Sequence, residues 1–411
     1  MNAYLSLLVR RPEFRRLWGA ELVSLVGDWF SIVAVSVLSL GAPGGGVMAL
    51  ATSLAAHLLP QSLASPLGGF VADRFDKRLV LMLGSGIEAI LTLGMVGAAA
   101  SSNVVLLQVL LALRSIASAA REPASAAALP RLVEKHELAD ANALSAFTWS
   151  VAFAVGMSLG GLATAFGPEF ALFIDGLTFV TAVLILRGIA SLPPSARLSN
   201  RQNGLAESID IALGAVRGPM RRSVFGLTPI ALASGAAWLY LNLAGHAFPL
   251  VAGAATTVGL LQAIRGAGTA LGPLVARKLD QAQARGDLGL LAAATVLVGT
   301  LALAWSPSLA VATVGATMWG AGGGALWVIV TTEIQTQADD GSRGRLIALS
   351  GLGFTMTMSA GALLTAAASA AGIGDLTAAL PIVVLSGVGF VFVRRRREPV
   401  AMAAPEPALE R

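Results

Sequence analysis

A chain of 411 residues that is 55% hydrophobic and only 12% charged is too apolar for a soluble protein of that size and is read as a polytopic membrane protein. A net charge of +5 would suit a nucleic-acid partner if the basic residues were gathered on one surface, but they are scattered over the ends of apolar runs, and they are read as topology signals and anionic-lipid contacts. The absence of cysteine excludes disulfides, thiolate metal sites and cysteine nucleophiles.

Residues 1-16 are basic and amphipathic, contain Pro12, and precede no small-residue cleavage site, so they are expected to lie along the cytoplasmic surface and not to be removed as a signal peptide. Hydrophobic runs follow over 17-40, 47-70, 79-100, 103-127, 144-165, 169-190, 223-244, 253-276, 287-305, 308-333, 345-369 and 375-393. Most have about the 20 residues that a helix needs to cross the hydrocarbon. Of the 28 basic residues, all but Arg114, Arg121 and Arg265 fall at or beside alternate connections, leaving the other face with none. By the positive-inside rule both termini and the 191-222 segment are expected in the cytoplasm.

The spans divide six and six about one long polar stretch. This gives an expected N-terminal bundle over 17-192, a linker over 193-222, a C-terminal bundle over 223-393 and a basic tail over 394-411. The run from Gly69 to Arg74 matches the run from Gly272 to Arg277 at an offset of 203, and Ala143-Leu144-Ser145 with Gly156 matches Ala348-Leu349-Ser350 with Gly361 at 205. Two near-equal offsets suggest a duplicated unit, and an even span count makes the halves parallel repeats.

Gly69-x-x-x-Asp73-Arg74-x-x-Lys77-Arg78, between spans two and three, resembles the signature loop of the major facilitator superfamily. Phe14-Arg15-Arg16-Leu17-Trp18, Leu129-Pro130-Arg131-Leu132-Val133 and Phe173-Ile174-Asp175-Gly176-Leu177-Thr178-Phe179 are similar to its bacterial macrolide-efflux and enterobactin-exporter branch. The resemblance implies an all-α fold of two six-helix bundles, alternating access, and a cavity lined chiefly by spans one, four, seven and ten. It also assigns Asp73 to a cytoplasmic gate that binds the start of helix eleven, beside Arg343 and Arg345, with Gly69, Arg74, Lys77, Arg78, Arg121 and Glu122 in or near the contact. Ala276 stands at the matching position of the second half, so the gate is one-sided. In Gly156-Met-Ser-Leu-Gly160-Gly161 the small residues that allow close helix approach are present, while the Pro usual in the antiporter motif of helix five is absent.

Transport chemistry must come from polar groups at membrane depth, where each is costly unless paired or hydrated. Helical rise places Asp28 about 18 Å from the cytoplasmic end of span one, with Arg114 and Arg265 at similar depth. Asp28 and Arg114 form either a permanent ion pair or a proton-coupling pair, and Glu88 either faces the cavity as a second acid or bonds a neighbouring helix. Asp175 is expected as a structural partner near a helix end, Glu21 as a hydrated acid at the helix entrance, and His57 as a core residue. Trp29, Trp238 with Asn242, and Trp319 with Trp327 are candidates for an aromatic wall. Trp18 and Trp305 suit the interfacial belt. Arg265 has no acid at its depth in its own half and is expected to meet a substrate anion or an acid exposed in one state.

These readings converge on a monomeric exporter of a bulky amphipathic small molecule, drug- or siderophore-like, exchanged for protons, with membrane lipids around it and no cofactor, metal or nucleic acid. A lysophospholipid or lipid flippase would use the same fold with a lateral opening. A non-transporting receptor or scaffold is the reading of another class, and isolated midplane charges argue against it. No triad pattern, phosphate-binding loop or metal-ligand cluster points to an enzyme.

Overall fold

The computed structural model describes residues 2-193, 214, 220-281, 288-338 and 343-395. Most of the expected linker, the tail from 396 and the Arg343 side chain lie outside the described residues. The described chain is helical, with one isolated β-bridge between Leu250 and Gly253. A short α1 (Asn2–Arg10) leads into α2 (Pro12–Gly41), α3 (Val47–Arg74), α4 (Lys77–Ala100), α5 (Val104–Ser118), α6 (Arg121–Leu132), α7 (Leu138–Ala165) and α8 (Pro168–Leu186). The second half holds a short α9 (Arg221–Val224), then α10 (Thr228–Ala247), α11 (Ala254–Gln281), α12 (Leu288–Trp305), α13 (Leu309–Gln337), α14 (Arg343–Ala370) and α15 (Asp375–Arg395). With α5 and α6 forming one crossing and α9 prefixed to α10, the described residues contain 12 spans long and apolar enough to cross a membrane.

Local signals set the boundaries. Proline occupies the first turn of α2, α8 and α10, where its missing N–H would have had no helical partner. Asp76 caps α4 by accepting from the Leu79 N–H at 3.0 Å, and Asn103 caps α5 through the Leu106 N–H at 2.9 Å. Gly167, at φ 124°, makes the turn between α7 and α8 that an L side chain would resist. Along α4 the large apolar side chains Leu79, Leu83, Ile87, Ile90 and Leu93 are exposed, while Ser85, Glu88 and Thr92 are buried. A helix more polar inside than outside is one whose outer face meets lipid.

In the first half α2 packs on α7 and α8, and α4 on α5 and α8; in the second, α13 packs on α11 and α12, and α10 on α14. The two halves repeat these helix pairings, with a glycine at the close approach in each. A Cβ at Gly156 of α7 would stand 2.8 Å from Trp29 Cβ on α2, and one at Gly361 of α14 would stand 2.8 Å from the Leu232 carbonyl carbon on α10. Likewise Gly272 of α11 sits against Ala321 of α13, but its partner in the first half is Gly68, which sits against Ala119, and not Gly69, which faces open space. Gly68 and Gly272 are 204 residues apart while their partners Ala119 and Ala321 are 202 apart, so the halves share the helix pairing and not one fixed register.

The halves meet through α7 against α11 and α3 against α14. At the end opposite the basic connections the fit is close: a Cβ on Gly161 would lie 2.8 Å from Ala255 O, and one on Gly259 would lie 2.8 Å from Gly161 Cα. Val33, Leu50 and Leu54 of the first half join Trp238 and Leu241 of the second in one buried cluster on that side. α1 docks on the first bundle, where Leu7 packs with Phe14 and Leu17 and Arg11 pairs with Glu134 and Glu137.

Candidate functional site

Below the closed end lies a cavity of about 450 Å³, bordered by α2 to α7, with Asp28, Trp29, Glu88, Arg121 and Trp149 in its wall. Its lining includes Glu21, Ser125 and Asn142 toward the basic end, where α6 and α7 begin their approach to the basic connections.

One ion-pair chain runs across the wall and into the bundle. Arg114, on α5, bonds Asp28 of α2 at 2.5 Å and Asp175 of α8 at 2.8 Å, and also donates to Ser31 at 2.9 Å and Thr92 at 3.3 Å. Arg121 bonds the other Asp28 oxygen at 2.8 Å and reaches Glu88 of α4 only at 3.6 Å. Beneath both guanidiniums lies the ring of Phe179, 5.2 Å from Arg114 and 5.7 Å from Arg121. Asp175 and Phe179 are one helical turn apart and so share a face. Asp175 and Glu88 are fully buried, whereas Asp28 and Arg121 keep 17% and 20% of their side-chain surface. Neither Glu88 oxygen has a hydrogen-bond partner among the described residues.

Three sequence expectations meet here and one is relocated. Asp28 does meet Arg114, and Glu88 joins the same chain; Asp175 is the second partner of Arg114, two turns inside its helix. Arg121, grouped from its position with the Asp73 gate, turns inward to Asp28 instead, because α6 starts a new helix at that residue and aims its side chain at the cavity. Glu21 accepts from the Ser125 hydroxyl. The contributions of Ser31, Thr92 and Phe179 were missed; the four-residue spacing from Asp175 to Phe179 was the available signal.

The aromatic wall divides differently from the expected one. Trp29 packs edge-on against Trp149, at 5.8 Å, and against Phe153, at 4.5 Å. Phe153 in turn covers the Arg265 guanidinium of α11 at 4.6 Å, and Trp319 and Trp238 approach it at 4.6 and 5.7 Å. Among the described residues Arg265 gives one hydrogen bond, from Nε to Gln262 Oε1 at 2.8 Å. Trp238, Trp319 and Asn242 are buried in this conformation, and Asn242 donates back to Trp238 O within its own helix at 2.8 Å. Trp327 is exposed and packs edge-on with Phe354.

Asp73 is exposed, and among the described residues no ion pair joins its carboxylate to another gate residue. Lys77 donates to the Asp73 and Phe75 carbonyls, Arg78 to the Arg187 carbonyl, and Arg74 lies over Phe70. Glu122 lines the cavity and Arg345 begins α14. Asp76, within the loop, is held below the usual carboxylate range: partial burial opposes this, but donation from the Ser191 hydroxyl and backbone N–H groups outweighs it.

The family model described as Major Facilitator Superfamily matches residues 17–362. The uncharacterized MFS-type transporter y4rN of Sinorhizobium fredii is 28% identical over 358 residues, 85% of this chain and 86% of that one. The enterobactin exporter EntS of Escherichia coli is 26% identical over 389 residues, 90% of this chain and 91% of its own. The crystal structure of the nucleoside transporter NupG superposes with a TM-score of 0.72 at 15% identity, covering 97% of this chain and 100% of that one. A D-xylose-proton symporter does so at 0.67 with 12% identity, over 92% and 96%. A match that runs from the first span into the eleventh, on a fold shared with solved transporters, makes this chain a member of the major facilitator superfamily, a multi-pass membrane transporter and not an enzyme.

Proposed function

We propose that the protein exports a bulky amphipathic small molecule, drug- or siderophore-like, in exchange for protons, by rocking its two bundles about the central cavity. The basic end is cytoplasmic on this reading, so the cavity is poised to load from inside the cell. Similarity to an enterobactin exporter over 90% of the chain supports the outward direction and the substrate size.

The observation that carries the proton role is an imbalance of charge. Asp28, Glu88 and Asp175 share two guanidiniums, those of Arg114 and Arg121, so the chain of ion pairs is neutral only when one carboxyl holds a proton. Asp28 has a guanidinium on each oxygen and Asp175 has Arg114, while Glu88 is buried with only the distant Arg121. Glu88 is therefore the proton holder, and Asp28 the group that substrate competes for. Substrate bound against Asp28 moves Arg121 toward Glu88; the carboxyl gains its counter-ion and releases the proton. Asp73 is the gate acid, free while the basic end is open and bound to the start of α14 when it closes.

Proton release on adding substrate to purified protein in detergent, across a panel of macrolides, siderophores, dyes and lysolipids, tests this reading. A ligand that releases a proton from the native chain and none from Glu88→Gln supports it. Equal release from both removes Glu88 from coupling, and a response to lysolipids alone would favour a lipid flippase.

A further inference from the structure

Arg265 is a cation at membrane depth with no carboxylate within ion-pair distance among the described residues. Arg114 and Arg121 each meet two acids; Arg265 meets one neutral amide and three aromatic rings. Rings attract a guanidinium, yet they do not neutralise it, and a packing role alone would be served as well by an uncharged side chain. The amide beside it is also incomplete. Gln262 is buried, its Oε1 is used by Arg265, and its Nε2 has no hydrogen-bond partner among the described residues. Two kinds of donor without an acceptor thus stand together at one place.

The rings around that place come from both halves of the molecule. Trp238 and Trp319 belong to α10 and α13, on the same bundle as Arg265, and move with it. Phe153 belongs to α7 of the other bundle, where it continues the wall of the open cavity through Trp149, stacked with it at 5.7 Å. Phe153 also fills the space over Gly266, next in sequence to the arginine. Any rocking of one bundle against the other draws Phe153 away and leaves Arg265 between two indoles with one aromatic position vacated.

We propose that Arg265 and Gln262, with the indoles of Trp238 and Trp319, bind the acidic group and the planar ring of an aromatic anion, and that Phe153 occupies the ring position in the present conformation. The guanidinium and the Gln262 amide donate to the acid, and the indoles receive the ring. This rests on the exporter reading for its role in transport, and narrows the substrate to one that carries a negative charge beside an aromatic system. An exchangeable donor elsewhere on the same molecule would reach Asp28 across the cavity.

Isothermal titration calorimetry on the purified full chain in detergent, without any gradient, tests the site with 1-naphthoate, 1-naphthylmethanol and 1-naphthylmethylammonium. The native chain should bind 1-naphthoate about tenfold tighter than the uncharged alcohol, the scale of a charge-assisted hydrogen-bonded pair. Arg265→Gln should bring the ratio near one, and Arg265→Lys should keep part of it. Gln262→Leu, which leaves the charge in place, should reduce it by about threefold and serves where the arginine variants fail to fold. Equal affinities in the native chain, a preference for the ammonium, no binding of 1-naphthoate at millimolar concentration, or a preference surviving Arg265→Gln would each overturn the proposal. Glu88→Gln should retain the preference, so a failure of proton coupling and a failure of this site give different results.

Discussion

Arg121 Nη1 stands 3.6 Å from Glu88 Oε2, a separation at which the two charges attract but no hydrogen bond joins them, while the same guanidinium holds Asp28 at 2.8 Å. The arginine is thus committed to one acid and within a short movement of the other. Glu88→Gln keeps the shape and removes the titratable charge. It should abolish pH-gradient-driven uptake into inverted vesicles while leaving expression and melting temperature near native values, since the proposed resting carboxyl is already neutral. Transport with unchanged pH dependence would return the coupling role to Asp28.

Asp175 should differ from Glu88 in what its loss does to stability. It is buried, bonded to Arg114 and to Ser31, and far from solvent. Asp175→Asn leaves Arg114 with Asp28 alone, and breaking one side of a buried pair costs about 3 to 5 kcal/mol. The expected outcome is a clear fall in thermal stability in detergent and, because Asp28 and Glu88 then balance Arg114 and Arg121 without a bound proton, loss of ligand-induced proton release in the folded fraction. Release retained in folded Asp175→Asn would overturn the charge imbalance as the source of the proton.

The fold was legible from composition and from the placement of basic residues, because span length and charge bias are set by the bilayer itself. All twelve runs are helical in the structure, 103-127 and 223-244 each in two pieces, and several helices are longer than the apolar stretch: α7 begins at Leu138, where the hydrophobic run starts at 144. Polar first turns such as Leu138 to Asn142 lie outside the hydrocarbon and leave no apolar signal. Depth could also be counted along each helix, and it brought Asp28 and Arg114 to one level. Azimuth could not. Which way Arg121 turns depends on the break between α5 and α6, and the rings around Arg265 come from three helices whose mutual rotation is a property of packing.

Sidedness is testable because the chain has no native cysteine. Single cysteines replacing Ser191, beside the basic residues, and Ser102, in the connection between α4 and α5, should label from opposite faces of the membrane. With the basic end in the cytoplasm, Ser102→Cys should react with a membrane-impermeant maleimide on intact cells and Ser191→Cys only after lysis. The reverse pattern would invert the loading direction and make the open cavity one that faces outside.

Gly161 and Gly259 close the end opposite the basic residues by backbone-to-backbone approach, and neither helix can retreat without parting the bundles. Gly161→Leu should therefore wedge that end open, and should do so without disturbing the Arg114 network on α2, α5 and α8. A cysteine at Leu54, buried now in the cluster that spans the bundles, should gain reactivity toward external maleimide, and export should stop. If Leu54→Cys stays protected in the Gly161→Leu background, that end closes through other contacts.

Asp73 presents the complementary case at the basic end. In the conformation described it is exposed and has no ion-pair partner among the described residues, so Asp73→Asn should cost this state little. The loss should fall on the alternate state, in which the carboxylate meets the first turn of α14, and should equal the worth of an anion at a helix N-terminus, about 0.3 to 2 kcal/mol. The population with the basic end open should then rise by up to about 30-fold relative to the closed one, since about 1.4 kcal/mol is a factor of ten. Labelling of a cysteine at Ser145, in the cavity wall, should increase from the basic side, and that of a cysteine at Gly44, on the opposite end, should fall. A Glu substitution restores the charge one methylene further out and should recover part of the native ratio. Unchanged labelling at both positions with transport lost would mean that Asp73 acts on the substrate path and not on the closure of the bundles.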